Sequence, residues 1–144
     1  MERSPQLLVE LVWEDGDLEE LFISADNGQY SGVTQVYFGQ GDVGALARSL
    51  QGFPKSISQE EVFKGGSQDD AYARLAFRCI DGSGHAAVIV TLQAGVAYDL
   101  HPSIVNRVEF EMRFEASALD EFCRELQLVA RRARRGAVLR GIAA

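Results

Sequence analysis

AYARLAFRCIDGSGHAAVIVTLQA, residues 71–94, is the stretch on which the fold turns. Ala73, Leu75, Phe77 and Cys79 alternate with Tyr72, Arg74 and Arg78, the period of a strand with one buried face. Asp81-Gly82-Ser83-Gly84 then supplies turn chemistry, and Ala86, Val88, Val90 and Leu92 repeat the alternation on the way back. Two such runs joined by four turn residues predict an antiparallel hairpin.

Working outward, Ile104–Phe114 places Val108, Phe110, Met112 and Phe114 on one face, with Arg107, Glu109, Glu111 and Arg113 on the other. One face of this sheet meets water. Towards the N-terminus, residues 6–13, 18–25 and 30–38 are strand-like runs broken at Asp15-Gly16 and Asn27-Gly28, and the second break suits a type I′ turn. Asp42 is placed to cap a helix carrying Val43, Leu46, Ala47 and Leu50, stopped by Gly52 and Pro54. Residues 55–70 turn polar, with Ile57, Val62 and Phe63 the only large apolar side chains. They read as the most mobile internal loop, holding at most a short edge strand. Ser117 and Asp120 form a capping-box pattern before the stripe Leu119, Phe122, Cys123, Leu126, Val129, Ala130 and Ala133, which predicts a terminal helix.

The order β-β-β-α-(β)-β-β-β-α is that of an α+β domain. The expectation is one mostly antiparallel sheet of about six or seven strands with two helices on one face. At 144 residues the chain suits a single domain spanning residues 1–144. Residues 131–144 read as a basic, frayed tail. No apolar run is long enough for a membrane helix and no signal peptide is visible, so a cytoplasmic location is expected.

Charge is unevenly spread. Of 21 acidic and 14 basic residues, five arginines and no acid lie in 131–144. The preceding 130 residues therefore carry nine cations against 21 acids, a net −12, and the tail +5. An acidic body argues against a nucleic-acid backbone, while Arg131, Arg132, Arg134 and Arg135 suit the C-terminal end of a helix dipole. The densest acidic cluster, Glu14, Asp15, Asp17, Glu19 and Glu20, is the candidate surface for a basic protein partner. Self-association through a strand edge, or through an outer face bearing Tyr72 and Ile89, is a further expectation.

Catalytic and cofactor signatures are weak. Gly39, Gly41 and Gly44 spell the dinucleotide-binding G-x-G-x-x-G between a strand and a helix. The strand before them alternates instead of being continuously apolar, and Asp42 would repel a pyrophosphate. Glu60 and Glu61 lie at the sequence distance of a ribose-binding acid, but no buried strand is expected there. Asp81, Ser83 and His85 share a hairpin tip, where alternate turn residues seldom face one another. His85 and His101 flank one strand and are too far apart for a shared metal. Cys79 and Cys123 read as small buried hydrophobes. The sequence therefore names no catalytic residue, cofactor or metal, and leans against an enzyme.

The hairpin at Asp81-Gly-Ser-Gly-His and the segment Phe114-Glu-Ala-Ser-Ala-Leu-Asp-Glu-Phe-Cys resemble a family of small uncharacterised bacterial α+β proteins. Some similar domains are suspected immunity proteins of toxin systems. The resemblance implies a non-enzymatic protein-interaction module and transfers no catalytic residue. The alternative is a small-ligand-binding domain or enzyme with its site between the sheet and the 55–70 loop.

Overall fold

Side-chain oxygens set the first two turns. Asp15 Oδ1 accepts the backbone N–H groups of Asp17 and Leu18, both at 2.8 Å, and so closes the hairpin between β1 (Gln6–Glu14) and β2 (Leu18–Asp26). Asn27 Oδ1 accepts from Gln29 and Tyr30 at 2.9 Å before β3 (Ser31–Gly39). Only Gly28 takes a positive φ there, so the anticipated type I′ turn gives way to one organised by the Asn27 side chain. The computed structural model describes residues 4–95 and 105–143.

Helix α1 (Asp42–Leu50) follows, then β4 (Glu60–Gly66), β5 (Tyr72–Cys79), β6 (His85–Gln93), β7 (Arg107–Glu115), α2 (Ala116–Ala130) and β8 (Gly136–Arg140). The class is α+β, but the strands divide into two antiparallel sheets of four and not one of six or seven. Sheet A runs β3-β2-β1-β8 and sheet B runs β4-β5-β6-β7. Sheet B is a meander, whereas sheet A is the meander β1-β2-β3 with β8 added beside β1. The chain passes from β3 through α1 to β4 at one edge of sheet B, and from β7 through α2 to β8 at one edge of sheet A. The two halves are thereby interlocked.

Three expectations change with this topology. The supposed frayed tail contains β8, which pairs with β1 from Gly136↔Glu10 to Arg140↔Gln6 and buries Ala137 and Leu139 completely. Residues 55–70 do hold the short edge strand that the sequence allowed, but they are more firmly held than a mobile loop, because β4 pairs with β5 over seven residues and Phe63 stacks on Phe38 with ring centroids 4.4 Å apart. The caps also shift. Gly41 at φ 89 is the N-cap of α1, and Glu115 is that of α2, which leaves Ser117 inside the helix and its capping box unformed.

One core joins both sheets and both helices. Phe77, Phe114 and Phe122 are fully buried against one another, each contributing about 2–3 kcal/mol of apolar burial. One end of sheet A abuts sheet B. Asn27 Nδ2 donates to the Glu111 carbonyl, Thr34 Oγ1 donates to the Gln93 carbonyl, and the Ile142 N–H donates to the Arg113 carbonyl at 2.9 Å. Gly32 is required at this corner, since a Cβ there would lie 2.5 Å from Val108 Cγ1. The outer edge of β8 is closed by α2, where Glu125 Oε1 accepts the Val138 N–H at 2.8 Å.

Candidate functional site

In β1 the residues Leu7, Val9 and Leu11 point into the core, and simple alternation would send Trp13 after them. A β-bulge at Val12 prevents this. Leu11 pairs with Leu21 but Trp13 pairs with Glu20, so two residues of β1 are used against one of β2. Trp13 emerges on the outer face of sheet A, 46% exposed, in one cross-strand row with Glu20 and Tyr37. The Trp13 and Tyr37 rings meet edge to face above Glu20 at 6.0 Å between centroids, and Tyr37 is 53% exposed. Val33 and Leu18 are also exposed on this sheet.

The outer face of sheet B is dressed differently. Small residues of β5 and β6, among them Ala76 and Ala87, lie beneath long charged side chains, with Arg78 and Arg113 both bonded to Glu111. Tyr72, expected to be available there for self-association, is 8% exposed with the Arg107 guanidinium 6.0 Å from its ring centre. Sheet A is therefore the face that offers aromatic surface.

The acidic cluster does not act as one surface. Glu19 faces inward and is 1% exposed, so it cannot be presented to a partner. Its Oε2 accepts from Arg132 Nη2 at 2.7 Å, and Arg132 Nε also pairs with Glu14. Arg132 reaches this position because it follows the last turn of α2 in the left-handed conformation, φ 63, a place where glycine is the usual residue. The same guanidinium donates to the Val129 and Ala130 carbonyls and to Gln40 Oε1. Asp15 is committed to its own turn, and the N–H groups of Asp17 and Leu18 hold its carboxyl below the usual Asp range. Glu20 remains between the aromatic pair, and Asp17 is exposed at the tip of the hairpin.

The acids of the first hairpin and the arginines after α2, remote in sequence, thus occupy one end of sheet A. Between them a groove of about 480 Å³ runs from Leu11, Trp13 and Glu14 to Arg132, Arg134 and Arg135. Arg134 is tied back to the Gly136 carbonyl at 2.6 Å and to Glu125. The acids are visible in the sequence as a cluster, whereas Trp13 and Tyr37 are not marked there, because the outward placement of Trp13 beside Tyr37 depends on the bulge.

The other nominated residues scatter. Asp42 Oδ2 accepts the Gly39 N–H at 2.8 Å, so a carboxylate occupies the glycine turn where a pyrophosphate would have to sit. Glu60 and Glu61 begin β4, in the sheet that does not contain β3. Asp81 and His85 do face each other, contrary to the turn argument, with Oδ2 2.9 Å from Nδ1, because they sit across the hairpin and not along it. The Ser83 N–H and then His85 hold the Asp81 carboxyl below the usual range. The Cys79 thiol, half-buried, donates to the Asp81 carbonyl at 2.8 Å. Cys123 is buried. His101 lies outside the described residues, and among those described no three His, Cys, Asp or Glu side chains converge as a metal site. No described helix is long and apolar enough to cross a membrane. No protein-family model, curated protein or solved structure matches the chain.

Proposed function

We propose that this protein is a non-enzymatic interaction module, immunity-like in action, that engages a basic protein through the outer face of sheet A. The observation that carries the reading is the exposed Trp13–Tyr37 pair standing over Glu20. Aromatic side chains with little rotamer entropy are the usual anchors of protein interfaces, and a ring face beside a carboxylate receives an Arg or Lys head group favourably. Asp17 lies at the neighbouring hairpin tip, and Val33 extends the apolar surface along β3. This surface replaces the five-acid patch: Glu20 and Asp17 belong to it, whereas Glu14, Asp15 and Glu19 serve the fold.

The enzyme alternative loses its support from residues 55–70. The inner face of sheet B is filled by Leu75, Phe77, Val90 and Phe110, and β4 is part of that sheet.

Trp13 is the chain's single tryptophan, so its fluorescence reports on this surface alone. Titration with the purified product of the neighbouring gene should change that emission and give a complex that survives gel filtration. The variants W13A/Y37A and E20K should weaken it by about 2 kcal/mol or more. A complex of undiminished affinity in both variants would exclude this face.

A further inference from the structure

Strand β4 is one border of sheet B, and its other side pairs with no described strand. The direction of its free groups follows from the ladder. Ile80 donates to the His85 carbonyl, so the even-numbered residues of β5 bond β6 and the odd-numbered ones bond β4. In the β4–β5 register, Leu75 opposes Phe63, Phe77 opposes Glu61 and Ala73 opposes Gly65. Glu61, Phe63 and Gly65 therefore spend their backbone groups on β5, and the Ser67 N–H donating to the Ala71 carbonyl continues the same phase. The N–H and C=O groups of Glu60, Val62 and Lys64 point away from the sheet.

The side chains of these three residues share the outer face, where all three are exposed and Val62 is 42% accessible. Their order is acid, valine, base. An antiparallel strand related by a two-fold axis at Val62 would set Val62 against Val62 and each Glu60 against the Lys64 of the other copy. All the outward backbone groups would then pair. An axis at Glu60, Glu61 or Lys64 would set like charges against each other, and an axis at Phe63 would leave Glu60 and Lys64 without their opposite charges. A groove of about 360 Å³ between α1 and β4, lined by Asp42, Ala45 and Ser49 on the helix side, leaves room beside the strand.

We infer that the partner of this edge is a second copy of the chain, joined β4 to β4 about Val62 so that two four-stranded sheets become one sheet of eight. This inference is independent of the sheet A surface, which lies on the other sheet.

Sedimentation velocity across a concentration series up to millimolar tests it. The wild type should dimerise. V62P should be monomeric with an unchanged far-ultraviolet spectrum, because the N–H it removes bonds nothing within the protomer. E60K sets like charges opposite one another at both ends of the junction and should raise the dissociation constant roughly tenfold. Mixing E60K with K64E should restore dimers, since each altered edge then meets its complement. A wild type that stays monomeric throughout overturns the inference, as does a dimer that survives V62P. Should V62P fail to fold, failure of the E60K and K64E mixture to dimerise better than either alone decides against it.

Discussion

Arg132 Nη2 and Glu19 Oε2 stand 2.7 Å apart, one on the loop leaving α2 and the other inside sheet A. Glu19 is 1% exposed and its second oxygen, Oε1, has no partner, so the carboxylate depends on this one guanidinium and loses its compensation if Arg132 is truncated. R132A should cost about 3 kcal/mol in urea unfolding, at the low end for a broken buried pair because the Arg132 side chain is itself about a third exposed. R132G loses the same ion pairs but suits the left-handed backbone, and should recover about 1 kcal/mol relative to R132A. Equal midpoints for the two variants would show that the backbone conformation at 132 carries no strain.

The stacking of Phe63 on Phe38 fastens β4, and hence the edge of sheet B, to β3 of sheet A. Gly65 makes this possible: a Cβ there would fall 2.6 Å from the Phe38 ring, a distance that no small adjustment relieves. F63A should cost about 3–4 kcal/mol, as expected for an aromatic removed from a packed core. G65A should destabilise by about 1–3 kcal/mol through overpacking and should shift the Phe38 ring resonances in NMR spectra. The F63A/F38A double variant should cost less than the sum of the singles, since both remove one contact.

How far the fold could be read in advance varied with the range of the interactions that make it. The hairpin of β5 and β6 and the alternation of β7 were visible because both depend on period-two patterning within a few residues. Strand β8 was hidden: Ala137 and Leu139 give only two inward positions, and the four arginines just before them resemble a solvated tail. The division into two sheets was not legible either. It depends on β3 passing through α1 without pairing with β4, a non-local choice settled by the packing of α1 on α2, where Cys123 Sγ donates to the Ala47 carbonyl. The site suffered twice. Its acids were obvious as a cluster, but the arginine that claims two of them comes from the far end of the chain, and the Val12 bulge that turns Trp13 outward leaves no mark in the alternation.

The two thiols should differ in reactivity. Cys123 is 5% exposed, and burial, followed by the nearby Asp120 charge, raises its pKa, which depletes the thiolate. Cys79 is only half-buried, at the rim of a surface groove beside Ile57 and Gly82. With a disulfide exchange reagent, the native protein should release one equivalent quickly, abolished by C79S, and a second only under unfolding conditions. Rapid labelling of both thiols in the native state would mean that α2 opens readily from α1.

Acid should weaken the fold through its turns. In Asp15 the carboxylate is favoured by the N–H groups of Asp17 and Leu18, and in Asp81 by the Ser83 N–H and then by His85, so both titrate below the ordinary value of 3.8 in the folded chain. A carboxyl whose pKa is depressed by folding contributes its stabilisation fully above the unfolded value and loses it as pH falls through the folded one. The urea midpoint of the wild type should therefore be level with respect to these two groups at neutral pH and decline once pH drops below about 4. Carboxyl carbon shifts should place Asp15 and Asp81 among the last aspartates to protonate. D15N and D81N should each be less stable than wild type at neutral pH, and each should lose less on acidification. A D15N/D81N variant that declines as steeply as the wild type below pH 4 would move the acid sensitivity from the two hairpin turns to other carboxylates of the fold.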